Sequence, residues 1–288
     1  MARATSVEAL APGDHACVTF SDPDERLDIV AAFVRDGLLG SARVMCLTES
    51  IPPAEFSAEL VDRGVPAGEA VPRGQLMIFS SEESWLADGD ISGLRMVDMI
   101  ARHIDEARRL GYGGLRVTAD MCWVTRPIAA ADQLPVFEEQ VGKLFADGRL
   151  TAICQYDREL FDAVTLSFAA SAHTRAVAAT VYYEDPVLRI CRQHSPAGVR
   201  LAGEIDYRHV EELQLALNEA LSFDHDVQVN LAKLQFLDAA AASTIMQAAV
   251  SLPPHRTMTV VCGGAVLRML CLVGAADVLR LVRAHGEP

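Results

Sequence analysis

Histidine and cysteine side chains lie beside two predicted strands and one predicted helix in the amino-terminal part of the sequence. His15 and Cys17 belong to the first strand, Cys154 lies in a later strand, and His173 follows a helix. A parallel sheet could bring these residues together, and histidine with cysteine suits Zn²⁺ or another borderline metal. The spacing matches no zinc signature, so we assign no metal ligand from the sequence. The four residues remain candidates for ligand binding, with a metal or haem site as the alternative to buried cysteines and hydrogen-bonded histidines.

Aromatic and charged residues form a second candidate group near predicted strand ends. Asp120 ends an apolar strand and Trp123 follows it, while Tyr156 and Arg158 lie at the end of a later strand. Open α/β sheets bind ligands at the carboxyl ends of their strands, and aromatic rings beside charges suit a small molecule. These four residues are therefore candidate ligand-binding residues. The alternative is that the rings pack in the core and the charges are solvated.

The sequence lacks the signatures of nucleotide and hydrolytic chemistry. A P-loop needs glycines followed by Gly-Lys-Ser/Thr, but neither Lys143 nor Lys233 lies in such a pattern. The stretch after the first strand, FSDPDER, is acidic and holds no glycine. No GxSxG or HExxH motif occurs either. We therefore expect a protein that is not an enzyme.

Strands alternate with helices through the amino-terminal part of the chain. The pattern predicts βαβ units and a mainly parallel sheet, which is an α/β fold. Strands are predicted over residues 14–20, 43–48, 75–80, 115–120 and 150–156. Helices are predicted over residues 25–39, 52–64, 92–110, 134–145 and 158–171.

The pattern changes near residue 184, where a second and smaller α/β part begins. The predicted domains are residues 1–183 and 184–288. In the second part a buried strand at 227–231 leads through a short turn to Asp238, a residue suited to cap the helix predicted at 239–250. The amino end of that helix offers free N–H groups to a phosphate or to a carboxylate of a partner.

Composition limits the choice of partner and compartment. The formal charge is −14, and an acidic surface repels nucleic acid and anionic lipid. No apolar run reaches the roughly 18 residues that a membrane helix needs, and the first residues lack an apolar signal core, which predicts a cytoplasmic protein. Seven cysteines without a CxxC pair argue against a disulfide framework.

The second part resembles a STAS domain of the anti-sigma-factor-antagonist type. The matching motifs are LAGEID at 201–206, VQVNLAKLQFLDAAAA at 227–242, TMTVVCGG at 257–264 and GAADVLRLV at 274–282. The resemblance implies a small α/β fold with a mixed sheet, and a turn that binds a partner such as a kinase-like anti-sigma factor. It also implies the partner-binding residues, which are Asp206, Asp238, Ala239, Ala240 and Ser243.

Two positions depart from that family pattern, and one of them is Ala241, which stands where the family commonly has glycine. In the family a serine directly after the aspartate is phosphorylated to release the partner, but Ala239 stands there in this sequence. Alanine cannot accept a phosphate, so the usual charge switch cannot operate at this position. Ser243 lies one helical turn further on and faces another direction.

The first part resembles the MEDS domain, a sensory module of methanogens and methylotrophs that is distantly similar to the RecA/KaiC core. The resemblance is carried by GDHACVTFSDPDER at 13–26, GYGGLRVTADMCW at 111–123, FEEQVGKLF at 137–145, ICQYDRELF at 153–161 and SAHTRAV at 171–177. It implies a RecA/KaiC-like sheet without a P-loop and a sensory role, with no cofactor specified.

The sequence therefore predicts a cytoplasmic, non-enzymatic regulator of transcription. A sensory domain would control a STAS domain that binds an anti-sigma factor or a related signalling protein. The alternative is a sensor of a small molecule or a metal whose STAS-like part serves as a scaffold or dimerises the chain, which implies a homo-oligomer. Neither nucleic acid nor a membrane is expected as a partner.

Overall fold

The computed structural model of the protein describes residues 3–85, 92–126, 130–275 and 278–284. The chain divides into two compact units, Met1–Ala178 and Ala179–Pro288. The sequence placed this boundary a few residues later, between 183 and 184. The difference arises because Val181–Glu184 forms a strand that pairs with Leu188–His194 in the second unit.

Seven strands of the described residues form the sheet of the first unit. They are β1 (Arg3–Thr5), β2 (His15–Phe20), β3 (Arg43–Thr48), β4 (Leu76–Ser80), β5 (Leu115–Asp120), β6 (Leu150–Asp157) and β7 (Arg175–Val177). All neighbouring pairs are parallel, in the order β1-β7-β2-β6-β5-β3-β4. The predicted parallel α/β fold is therefore confirmed. The sequence missed β1 and β7, since three residues carry too little pattern to predict a strand.

Helices join the strands of the first unit. They are α1 (Pro23–Leu39), α2 (Pro53–Asp62), α3 (Ala67–Ala70), α4 (Gly93–Arg109), α5 (Ala130–Val141) and α6 (Ala163–Ala172). The prediction that a helix begins at 158 was wrong. The carboxylate of Asp162 accepts hydrogen bonds from the N–H groups of Val164 and Thr165, at 2.8 and 2.9 Å, and so caps α6 five residues later.

The second unit contains a mixed sheet. Its strands are β8 (Val181–Glu184), β9 (Leu188–His194), β10 (Ala197–Ile205), β11 (Val227–Leu237), β12 (Met258–Cys262) and β13 (Arg280–Arg283), in the order β13-β12-β11-β10-β9-β8. The pairs of β9 with β8 and with β10 are antiparallel, and the others are parallel. One apolar core cluster joins the sheet to the helices, which are α7 (Val210–Phe223), α8 (Ala239–Val250) and α9 (Gly264–Leu272).

The strand that leads to Asp238 is longer than predicted. It continues past Leu231 to Leu237, because β10 offers backbone partners as far as the pair Ile205–Leu237. Asp238 then caps α8, as predicted, by accepting the N–H of Ala241 at 2.9 Å.

Gly203 is required where β10 passes next to β9. Its φ is +98°, and a Cβ atom at this position would lie 1.9 Å from the carbonyl oxygen of Val187. We expect Gly203→Ala to destabilise the second unit by more than about 2 kcal/mol, because both the left-handed backbone and the steric overlap oppose it. Calorimetry of the full chain would measure this. Gly68→Ala is the control, since nothing lies within 4 Å of a Cβ there, and an equal effect of both changes would contradict the explanation.

Six of the seven cysteines are buried, with Cys271 as the exception, and none of the seven forms a disulfide bond. Every helix among the described residues is too short or too polar to cross a lipid bilayer.

Candidate functional site

The structure separates the predicted ligand-binding residues of the first unit into two groups. His15, Cys17, Cys154 and Tyr156 project from β2 and β6 into one apolar core, and His173 reaches the same place from the end of α6. Asp120, Trp123 and Arg158 lie at or beyond the carboxyl ends of β5 and β6. The first group is brought together as a cluster, whereas the second group forms no common site.

The parallel register explains how His15 and Cys154 meet. Cys17 lies opposite Cys154 in the β2–β6 pair, so His15, two residues earlier, points to the same face of the sheet. The Nε2 atom of His15 lies 3.7 Å from Sγ of Cys154. The adjacency proposed from the sequence is therefore present, although the two residues meet on a face of the sheet and not at its carboxyl edge.

Glu138, on α5, completes this group and was missed by the sequence analysis. Its carboxylate lies 3.6 Å from Nε2 of His15 and 3.9 Å from Nε2 of His173. The sequence signal that could have revealed Glu138 is an acidic residue on the apolar face of a helix. Leu134, Phe137 and Val141 share that face and are buried. The same stretch was noted only as part of a family motif.

We call His15, Glu138, Cys154 and His173 the buried donor cluster. One ligand atom from each residue can be chosen so that all lie within 4.8 Å of one another. All four residues are buried, with relative exposures between 2 and 4%. The rings of Phe145 and His173 pack on the imidazole of His15, with centroids 4.3 and 4.0 Å away, and so fix its orientation.

Two polar atoms of this cluster lack a hydrogen-bond partner. They are Oε2 of Glu138 and Nε2 of His173. The other ends of both side chains are held in place. Tyr156 donates its hydroxyl to Oε1 of Glu138 at 2.8 Å, and Nδ1 of His173 lies 2.7 Å from the carbonyl oxygen of Ala169. An N–H at Nδ1 would donate to that carbonyl and leave a lone pair on Nε2 facing the cluster.

Burial shifts the pKa values of the cluster toward uncharged forms. It raises the pKa of Glu138 to about 7, although the hydrogen bond from Tyr156 lowers that pKa. It lowers the pKa of His173 to about 4, although the hydrogen bond to the carbonyl of Ala169 raises that pKa. Burial and the neighbouring His173 lower the pKa of His15. Burial, followed by the charge of Glu138, raises the pKa of Cys154. These shifts favour neutral imidazoles and a protonated thiol.

Cys17 and Tyr156 lie beside the buried donor cluster. The thiol of Cys17 donates to the backbone carbonyl of Arg175, with a sulfur–oxygen distance of 3.7 Å, and burial raises its pKa to about 11. Tyr156 is fully buried, and burial together with the charge of Glu138 raises its pKa. Neither residue is one of the four clustered donors.

Asp120 forms a buried ion pair instead of facing a ligand. Its Oδ2 lies 2.7 Å from Nη2 of Arg26 and accepts the N–H of Ser50 at 3.0 Å. Burial alone would raise the pKa of Asp120, but the guanidinium of Arg26 and the hydrogen bonds from Cys122 and Ser50 outweigh it and hold the pKa below its usual range. The sequence did not predict this role because Arg26 lies far from Asp120 along the chain.

Trp123 and Arg158 have the surroundings that the alternative interpretation of the sequence predicted. Trp123 is buried in the core, where its ring packs edge-on against Trp85 with centroids 4.6 Å apart. Arg158 is exposed and donates to the hydroxyl of Thr19 at 2.9 Å. The buried rings of Trp123 and Tyr156 and the exposed Arg158 agree with the alternative interpretation, in which the rings pack in the core and the charge is solvated.

The amino end of α1, where a P-loop protein holds phosphate, is closed by the protein itself. The carboxylate of Asp22 accepts the N–H of Asp24 at 2.9 Å and also caps Glu25. A negative charge on these N–H groups competes with any phosphate. This agrees with the missing P-loop motif.

In the second unit Asp238 joins the two segments that were predicted to bind a partner. Besides capping α8, its carboxylate accepts the N–H of Tyr207 at 2.8 Å. Asp206 caps the turn at Tyr207–His209 in the same manner, by accepting the N–H of Arg208 at 3.0 Å. The turn after β10 and the start of α8 are thereby held side by side.

The residues around Asp238 form a partly apolar surface. Ala239 and Ala240 are exposed, while Ser243 is half-buried and donates its hydroxyl to the carbonyl of Ala239 at 2.7 Å. Two aromatic rings that the sequence analysis did not single out accompany them: Tyr207 is 70% exposed and Phe236 is 48% exposed. We call Asp206, Tyr207, Phe236, Asp238, Ala239, Ala240 and Ser243 the Asp238 surface.

Solved structures are similar to each unit at low identity. The first is the flagellar accessory protein FlaH from Methanocaldococcus jannaschii, with a TM-score of 0.45, 9% identity, and coverage of 65% of this chain and 80% of that one. A KaiC-like protein from Pyrococcus horikoshii OT3 has a TM-score of 0.48 and 10% identity, with coverage of 67% of this chain and 79% of that one. An anti-sigma factor antagonist from Mycobacterium paratuberculosis has a TM-score of 0.29 and 21% identity, with coverage of 36% of this chain and 83% of that one. No curated protein matches the chain.

Family models match both units. The model of the STAS domain, described as Mlab, STAS domain, matches residues 189–283. The model of the methanogen/methylotroph, DcmR sensory domain, or MEDS, matches residues 14–174, which is more than half of the chain. The chain therefore belongs to the MEDS family of sensory domains and continues into a STAS domain.

Proposed function

We propose that the protein is a cytoplasmic, non-enzymatic regulator of transcription whose STAS unit binds a kinase-like anti-sigma factor or a related signalling protein. A sensory domain joined to a STAS domain supports a role in signalling. The missing P-loop and the Asp22 cap on α1 argue against nucleotide hydrolysis in the first unit. The acidic charge disfavours nucleic acid as a direct partner.

The Asp238 surface is the observation that carries this proposal. Exposed aromatic rings are the residues that most often dominate binding energy in protein interfaces. Here Tyr207 and Phe236 accompany the exposed start of α8, and Asp238 fixes the turn that carries Tyr207. The two alanines at the helix start let a partner approach the backbone closely. The arrangement suits docking of another protein.

The partner would not be released by phosphorylation at the usual position, because Ala239 has no hydroxyl group. Ser243 does not stand at that position: it lies one turn further along α8, where its hydroxyl donates to the carbonyl of Ala239. Control of the surface would then come from the sensory unit. A ligand of that unit can shift the exposure of the surface only if it binds two conformations with different affinities.

Titration of the full chain with a purified kinase-like anti-sigma factor tests the proposal. We expect Phe236→Ala to weaken binding about 30-fold, the equivalent of about 2 kcal/mol for an interface hot spot. Phe223→Ala is the matched control, because Phe223 is 79% exposed and lies at the far end of α7, about 20 Å from the turn at Tyr207. Equal effects of the two changes, or no binding by the parent protein, would refute the proposal.

The buried donor cluster favours a second candidate function. In it the first unit senses a metal or a small molecule, and the STAS unit is a scaffold or dimerises the chain. Four convergent donors with two unpartnered polar atoms support the sensing half of this alternative. A chain that binds no signalling partner but dimerises through its second unit, measured by light scattering, would favour it over the first candidate.

A further inference from the structure

The buried donor cluster brings two polar atoms without a hydrogen-bond partner together in the core of the first unit. Buried polar atoms without a partner also occur on Trp85, His103, Arg116 and Trp123, but those side chains do not belong to a set of four convergent donors. In the cluster, Oε2 of Glu138 and Nε2 of His173 are buried without a hydrogen bond, although both belong to side chains that are otherwise anchored. A buried polar atom without a hydrogen-bond partner costs folding free energy, so we expect a ligand to bind these lone pairs.

We propose that His15, Glu138, Cys154 and His173 bind one Zn²⁺ ion. Two imidazole nitrogens, a thiolate and a carboxylate are a donor set that Zn²⁺ prefers. With neutral imidazoles, the thiolate and the carboxylate contribute two negative charges, which balance the charge of the ion. The thiol of Cys154 would release its proton to solvent as the zinc–sulfur bond forms, and so would Glu138 if it is protonated.

The distances between donors are close to those of a tetrahedral zinc site. Zinc–nitrogen and zinc–sulfur lengths of about 2.0 and 2.3 Å place neighbouring ligand atoms about 3.3 to 3.5 Å apart. Three separations are near these values: 3.6 Å from Nε2 of His15 to Oε2 of Glu138, 3.7 Å from Nε2 of His15 to Sγ of Cys154, and 3.9 Å from Nε2 of His173 to Oε1, the other oxygen of Glu138. With one donor atom from each residue, all four lie within 4.8 Å of one another, so metal binding would close the widest pair by at most about 1.4 Å.

The groups behind the donors are those that zinc sites use to orient their ligands. A metal-binding histidine almost always donates its other N–H to a carbonyl or a carboxylate, and ligating carboxylates are hydrogen-bonded in turn. The ring of His173 has the carbonyl of Ala169 at 2.7 Å from Nδ1, and Glu138 accepts the hydroxyl of Tyr156. With four protein ligands the site is closed, which is typical of structural and not of catalytic zinc.

Bound zinc would tie helix α5 to the sheet. Glu138 comes from α5, His15 and Cys154 come from β2 and β6, and His173 follows α6. Metal binding would therefore stabilise the first unit as any ligand of the native state does. Both tryptophans of the chain, Trp85 and Trp123, lie in this unit, so their fluorescence reports its unfolding alone. The zinc site is independent of the signalling partner proposed above, because zinc binding is measured on the protein without any partner.

The test uses the full chain purified after growth with added zinc. We expect elemental analysis to find about one zinc per chain, and Co²⁺ exchanged into the site to give a thiolate-to-metal absorption band, as a metal–thiolate bond requires. Cys154→Ala and His173→Gln should lose the metal and the band. Cys46→Ala is the matched control, because Cys46 is a fully buried cysteine in another core cluster, and it should keep both.

A milder change keeps the test decisive if a ligand variant fails to fold. Tyr156→Phe removes only the hydroxyl that Glu138 accepts, and we expect it to weaken zinc affinity about 10- to 100-fold. A chelator should lower the urea midpoint of the tryptophan transition in the parent protein. A parent protein that holds no stoichiometric zinc and gives no Co²⁺ band would overturn the proposal, as would equal metal content in all variants or unchanged affinity in Tyr156→Phe.

Discussion

Replacing Arg26 by alanine is expected to lower the free energy of unfolding of the first unit by about 3 to 5 kcal/mol. The side chains of Arg26 and Asp120 are 4% and 0% exposed, and their charged atoms lie 2.7 Å apart. Without the guanidinium, the carboxylate of Asp120 would remain in the core with only neutral donors from Ser50 and Cys122. Arg26 also donates to Gln155 at 2.6 Å, so the carbonyl of that side chain would lose a bond as well.

Urea unfolding followed by tryptophan fluorescence measures this effect in the unit concerned. Arg73→Ala is the control, because Arg73 forms an exposed ion pair with Glu69, and exposed pairs contribute about 0 to 1 kcal/mol. A loss below about 1 kcal/mol for Arg26→Ala would show that water reaches Asp120 and that the ion pair is not a buried one.

Replacing Ala239 by aspartate is expected to weaken binding of the signalling partner about 10- to 100-fold, because a new charge beside Asp238 must be desolvated at the interface. The chain itself should tolerate the change. Position 239 is the first residue of α8, where a negative charge interacts favourably with the helix dipole. Weaker binding could then be assigned to the surface and not to unfolding.

Ala239→Asn is the matched control, since asparagine has nearly the shape of aspartate without its charge. It should bind much more tightly than Ala239→Asp, and both should melt within a few degrees of the parent protein. Incubation with a kinase partner and ATP should leave position 239 unmodified in the parent protein and add phosphate in Ala239→Ser. Undiminished binding by Ala239→Asp would mean that the start of α8 is not the docking site.

Local signals predicted the parts of the fold that depend on neighbouring residues. A β-strand followed by a capping aspartate was sufficient to place the start of α8 at Ala239, and the structure confirms it. The end of β11 was not predictable in the same way, since its last residues pair with β10, more than twenty positions away. Short strands such as β1 and β7 exist because the sheet offers them a partner, not because their own residues form a pattern.

The candidate sites show the same division between local and distant causes. The meeting of His15 with Cys154 follows from the pairing of β2 with β6, which the predicted parallel sheet allowed but did not specify. Glu138 could not be placed, because a single acid on a helix has no distinguishing pattern until the helix is docked on the sheet. Asp120 was taken for a ligand-binding residue because its partner, Arg26, is distant in the chain.

Hydrogen–deuterium exchange of the full chain with and without a kinase-like anti-sigma factor tests the central claim most directly. The claim is that a signalling partner binds at the Asp238 surface. Binding should slow exchange in peptides that cover residues 205–209 and 236–243, and peptides around Phe223 at the far end of α7 should exchange as before. Protection that avoids residues 205–209 and 236–243, or no protection at a saturating concentration of partner, would contradict the claim.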